Sequence, residues 1–126
     1  MIKDTKIAIN TLFHNLWTDT DIHFNGLDFD IAGKEEWIYV SYEPVLSIPA
    51  GVSNMGYFDN GVIKVTIYAR KENRTFELLD SLLYMLQNNK IADMVGYNNK
   101  VGSKGVMSTT NGDYMYLNNS YYIKNY

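Results

Sequence analysis

The spacing of apolar residues predicts two amphipathic helices. The first runs from Asp4, a candidate N-cap, to about Leu16, with its apolar positions at Ile2, Ile9, Leu12, Phe13 and Leu16. The second runs from Thr75 to Leu86, with Thr75 as its cap and Asn88-Asn89 at its end. Its buried stripe is predicted at Phe76, Leu79, Leu83 and Leu86, widened by Leu78 and Leu82.

Alternating and aromatic-rich runs predict the strands. A short strand, Ile22–Phe24, is closed by Asn25-Gly26, and a longer one, Trp37–Tyr42, is stopped by Pro44. After Asn60-Gly61 the chain places Ile63, Val65 and Ile67 on one face and Lys64, Thr66 and Tyr68 on the other. One face of this sheet should therefore be buried, and the other should meet solvent or a partner.

Residues 43–60 are predicted to form a long apolar loop, which is an uncommon connection in so small a domain. Such a loop needs a second surface, either on its own domain or on a neighbouring subunit. Residues 106–126 are predicted to form a β-meander, with a hairpin turn at Asn111-Gly112 and another turn at residues 118–120. The expectation is a single domain, 1–126, of the α+β class: a mainly antiparallel sheet with both helices packed on one face.

Composition and charge exclude several classes of site and binding partner. The 126 residues carry 11 basic and 14 acidic side chains and no cysteine, which excludes disulfides, thiolate metal sites and cysteine nucleophiles. A net charge of −3 argues against electrostatic binding of nucleic acid, and the longest apolar run, Leu82–Leu86, is too short to cross a membrane. Eleven tyrosines permit large amphipathic contact surfaces.

The chemistry-bearing residues suggest no enzyme and no cofactor. His14 and His23 are the only neutral-pH bases, and both fit structural positions. The acids around Asp21 match a calcium loop only at its start, because Ala32 stands where a bidentate Glu is needed. The segment Gly96–Gly102 lacks the Lys-Ser/Thr of a phosphate loop and is predicted to be a flexible loop. We therefore expect a structural or interaction role.

The order of these elements resembles that of the tail-terminator, or tail-completion, proteins of long-tailed bacteriophages. The resemblance rests on the N-terminal helix, the segment from Trp17 to Gly26 with its Ile-His-Phe-Asn strand, the aromatic-led strand at Trp37–Val40, the strand Gly61–Tyr68, and the following helix. It covers residues 5 to 87. Asp21 replaces a proline common in the family, and residues 70–73 replace its glycine-rich link.

This resemblance implies a homo-oligomeric ring, typically a hexamer, located in the virion neck after assembly in the host cytoplasm. The ring would cap the tail tube, stop its polymerisation and join the tail to the head, with the tail tube protein and a head-tail connector protein as partners. The expected subunit or tail-tube contacts are Pro49, Val52, Met55, Tyr57, Phe58, Tyr121 and Tyr122. Two alternatives stay open: another neck component, such as a head-completion or connector protein, and a small-molecule-binding or enzymatic α+β domain.

Overall fold

A computed structural model describes residues 2–47, 58–91 and 94–125. The elements follow one another as α1 (Ile2–Leu16), β1 (Asp21–Phe24), β2 (Glu36–Ser47), β3 (Phe58–Ala69), α2 (Glu72–Gln87), β4 (Met94–Thr109) and β5 (Gly112–Asn125). The strands form one sheet in the order β1-β2-β3-β5-β4. Only the β1–β2 pair is parallel, so the expected α+β fold with a mainly antiparallel sheet is confirmed.

The core lies between the helices and one face of the sheet, called here the helix face. Alternation places Ile63, Val65 and Ile67 of β3 on this face, each at most 1% exposed, as the sequence predicts. The helices add Ile9 and Phe13 from α1, and Leu78, Leu82 and Leu86 from α2. α1 packs against β1 and β2, whereas α2 packs against β3 and β5. The edge strand β4 meets the helices at Met94, whose sulfur accepts from the Thr5 hydroxyl of α1, and at Lys104, which pairs with Glu72 of α2.

Both helices begin earlier than predicted. Asp4 lies in the first turn of α1 rather than at its cap. Lys71 is the N-cap of α2, and Thr75 lies inside the helix, where its hydroxyl donates to the Glu72 carbonyl oxygen at 2.6 Å. The buried stripe also differs from the predicted one: Phe76 is 41% exposed, and Met85 is buried. The predicted end is correct, since the Asn88 and Asn89 side-chain amides donate to carbonyl oxygens of the last turn.

The predicted loop 43–60 is wrong at both ends, where the residues belong to strands β2 and β3. β2 continues through Pro44 to Ser47, and β3 begins at Phe58, so Ser47 pairs with Phe58 and Pro44 with Gly61. Proline is tolerated because β1 pairs only with Trp37–Val40, and no other described strand pairs with that side of β2 beyond Val40. Residues 48–57 lie outside the described part of the chain.

The C-terminal third is a long two-stranded hairpin rather than a meander. The predicted turn at Asn111-Gly112 is present, and Gly112 adopts a φ of 103°, which favours glycine. The second predicted turn, at residues 118–120, is wrong because β5 runs unbroken from Gly112 to Asn125. The predicted flexible loop Gly96–Gly102 is also wrong, because it forms the first half of β4 and pairs with β5.

Candidate functional site

The face of the sheet opposite the helices carries an aromatic cluster. Trp37 stacks on Tyr68 with 4.8 Å between ring centroids, and Tyr114 meets Trp37 edge-on at 4.7 Å. The Arg70 guanidinium lies over the Tyr114 ring at 3.9 Å, which gives a cation–π contact. Burial, chiefly, raises the pKa of Tyr68 above its usual value. The cluster is thus a small second core.

The connection between β1 and β2 crosses this second core. Phe29 from the connection stacks on His23 at 5.0 Å and packs against Trp37. The fully buried Tyr114 donates its hydroxyl to the Lys34 carbonyl oxygen at 2.8 Å, which ties the connection to β5. This end of the open face is therefore occupied by the protein's own chain.

The two candidate bases, His23 and His14, lie on β1 and α1. His23 is held between the rings of Phe29 and Tyr39, and its Nε2 lies 3.0 Å from the Leu27 carbonyl oxygen. His14 is exposed on α1. Among the described residues, neither histidine forms a hydrogen bond with a serine or threonine hydroxyl that could act as a nucleophile.

The acidic residues near β1 form ion pairs and turns. Asp21 pairs with Lys34 at 2.6 Å, and the Asp30 carboxylate accepts from the Ala32 backbone N–H at 2.9 Å. Farther along, Glu36 accepts two hydrogen bonds from Arg74, at 2.8 and 2.9 Å, and this contact raises the Arg74 pKa. Within residues 2–47, 58–91 and 94–125, no three His, Cys, Asp or Glu side chains are placed to hold a metal ion.

Four exposed apolar side chains of the sheet lie on β4. Val95, Tyr97, Val101 and Val106 are 38–55% exposed, and one side of this 16-residue strand has no paired neighbour in the described sheet. The register with β5 shifts between Gly96 and Asn98 and again between Val101 and Lys104. Such bulges bend an edge strand but leave the segment Lys104–Thr109 in regular pairing.

The predicted contact residues lie in different parts of the chain. Pro49, Val52, Met55 and Tyr57 lie outside the described residues, and Phe58 begins β3, where its backbone pairs with Ser47. Tyr122 is half-buried on the open face, with its ring 6.2 Å from that of Tyr97.

The Tyr121 side chain is buried in the core of its own protomer. Its side chain is 8% exposed, and its hydroxyl donates to the Leu86 carbonyl oxygen at 3.4 Å. The ring also lies where a Cβ at Gly96 would sit, so glycine on β4 makes room for it. The core of its own protomer therefore accounts for the burial of Tyr121, and its part in a subunit contact stays a prediction.

Sequence reasoning missed β4 as a candidate surface. Glycine and asparagine are depleted in strands, and the run from Gly96 to Gly102 shows no clear alternation. The available signal was the scarcity of charge: residues 94–109 contain two lysines and no acidic residue.

Comparisons with known proteins support the fold. No protein-family model matches the chain, and no curated protein matches it. A solved structure that carries no functional name matches with a TM-score of 0.61 and 12% sequence identity, covering 96% of each chain. At this identity the similarity establishes a shared α+β fold along nearly the whole chain. No helix among the described residues is long and apolar enough to cross a membrane.

Proposed function

We propose that this chain is a structural virion protein that assembles as a ring on the tail tube of a long-tailed phage. The ring stops polymerisation of the tail tube protein and forms the tail side of the joint with the head-tail connector protein. The chain works through protein contacts in the virion, after assembly in the host cytoplasm, and not as an enzyme.

The main support is the exposed edge of β4 in a chain with this element order. A ring requires two different surfaces on each subunit, because each copy contacts its neighbours head to tail. An unpaired strand with exposed valines is a strong candidate for one of them, since free strand edges readily pair with other chains. The resemblance over residues 5–87 supplies the phage assignment, and the observed elements in that range follow the expected order.

The first test is to add the purified protein to polymerising tail tube protein. Tubes should stop growing and carry an annular cap visible by negative-stain microscopy. Six copies would have a mass of 87 kDa, six times the 14.5 kDa chain, which light scattering can measure on the capped or free ring. Normal tube growth with no bound protein would contradict the proposal. Caps on the head portal instead of the tube would favour another neck component.

A second test addresses the predicted contacts in residues 49–58. The double variant Tyr57→Ala, Phe58→Ala should stay folded, as judged by circular dichroism, but lose control of tube length. Tyr84→Ala is the matched control, because Tyr84 is 72% exposed and lies on α2 rather than on a strand. If the double variant unfolds the isolated protein, these two residues belong to its core and the predicted contact is wrong.

A further inference from the structure

Within the described part of the chain, the sheet has an unpaired edge at each end. β4 forms one edge along 16 residues, and the other consists of β1, with four residues, and the part of β2 beyond Val40. On β1, Ile22 and Phe24 point to the helix face but are only partly buried. A further strand beside β1 would extend the sheet and cover them.

The two edges carry opposite charge. The β4 segment 94–109 contains Lys100 and Lys104 and no acidic residue. Around β1, residues 18–33 contain four aspartates and no lysine or arginine. Lys34 pairs with one of these aspartates, Asp21, and Glu72 pairs with Lys104 at 3.3 Å. These ion pairs reduce the charge at both edges, but the β4 edge stays basic and the β1 edge stays acidic. Complementary charge at opposite ends of one sheet favours contact between copies over self-pairing of like edges.

Partly exposed apolar side chains on the two edges also lie on the same face of the sheet. Val106 lies opposite Met115 in the β4–β5 ladder, on the helix face, and is 55% exposed. Strand addition at β1 would bring Val106 onto the same face as Ile22 and Phe24. The regular segment Lys104–Thr109 is long enough to cover the four residues of β1.

We propose that β4 of one copy adds to β1 of the next copy, making the sheet continuous from subunit to subunit. This inference rests on the proposed ring and specifies its contact. Because the two edges differ, the pairing is head to tail, and it closes into a ring when the rotation per subunit completes a circle. A second copy of the chain is the occupant of the β4 edge.

Charge substitution at Val106 tests the pairing. Association of the full chain is measured by analytical ultracentrifugation, and tail tubes are added if the ring forms only on them. Val106→Asp would face the acidic β1 edge and should weaken association at least about tenfold. Val106→Lys has similar polarity but the complementary charge and should associate more strongly than Val106→Asp. Equal effects of the two variants would overturn the proposed edge pairing.

Cysteine cross-linking identifies the partner strand, since the chain has no native cysteine. A short bismaleimide should link Val106→Cys to Asp21→Cys in mixtures, and the double variant should give a ladder that ends at the ring size. Val106→Cys mixed with Tyr84→Cys should give no product. Cross-linking of Val106→Cys to itself would indicate a symmetric dimer and overturn the proposal. A ring that forms without the Val106–Asp21 product would overturn the edge pairing and leave the proposed function intact.

Discussion

A pair of asparagines, Asn119 buried and Asn99 half-buried, joins the edge strand β4 to β5. Asn119 is 1% exposed on the helix face of β5, and it exchanges two hydrogen bonds with Asn99 of β4. Each side-chain amide donates to the other's oxygen at 2.9 Å, so the arrangement needs one donor and one acceptor from each residue. Asn119→Asp keeps the shape and removes the donor, which makes it a selective perturbation.

We expect Asn119→Asp to destabilise the protein strongly at neutral pH and weakly in acid. A carboxylate would face the Asn99 oxygen, while the protonated acid could donate to it and restore both bonds. Burial of this kind raises a carboxyl pKa by about three units above its unfolded value of about 3.9. The folded state then holds a proton that the unfolded chain has lost, so stability falls as the pH rises from about 4 to about 7. The cost is about 4 kcal/mol at pH 7 and about 1.5 kcal/mol at pH 5.

Urea denaturation at pH 7 and pH 5 measures this cost, with fluorescence of the buried Trp17 and Trp37 as the probe. At a slope of about 2 kcal/mol per molar urea, 4 kcal/mol lowers the midpoint by about 2 M at pH 7. If the variant is unfolded at pH 7, it should refold at pH 5 by circular dichroism. Protein concentration is held constant because assembly adds to apparent stability.

Asn118→Asp is the matched control, one residue away on the open face. Its oxygen accepts from the Thr66 hydroxyl, and its amide donates to the Ser103 hydroxyl, both at 2.8 Å. The Ser103 hydroxyl can reverse and donate to a carboxylate, so the control should cost less than about 1 kcal/mol at either pH. Equal stability of the two variants at pH 7, or a cost for Asn119→Asp that does not change with pH, would refute the reasoning.

Two further predictions concern buried tyrosines, with Tyr84→Phe as the exposed control for both. Tyr114→Phe removes the hydroxyl that donates to the Lys34 carbonyl oxygen. Urea denaturation should show a free energy of unfolding lower by about 1 kcal/mol. A loss no larger than that of Tyr84→Phe would contradict a stabilising role for this hydrogen bond. Burial raises the pKa of Tyr121, so the folded state keeps its phenolic proton when the unfolded chain releases it, and stability is lost as the pH rises above about 10. Thermal melts at about pH 9 and 11 should therefore show a smaller alkaline loss for Tyr121→Phe than for the native protein, and an unchanged loss would count against this linkage.

The sequence predicted elements whose apolar pattern is strong and local. The alternation around Ile63, Val65 and Ile67 identified β3 and its buried face, because side chains in a strand point alternately to opposite sides. Asn111-Gly112 identified the C-terminal hairpin, since a positive φ at Gly112 suits that turn. The helices were found by their period, but their first turns were not, because the cap of α2 is a lysine that makes no side-chain capping bond.

Tertiary pairing alone decided the extent of the strands and the place of the tyrosines. The segment from Gly96 to Gly102 has poor strand propensity, yet it forms a strand because β5 supplies its backbone partners and Asn119 pairs with Asn99. Pro44 lies within β2 because β1 is too short to cover that edge. Tyr121 is buried because a glycine on the adjacent strand makes room for its ring. Local pattern determines which residues prefer to be apolar, helical or extended, whereas only the neighbouring strands determine which edges close and which stay open.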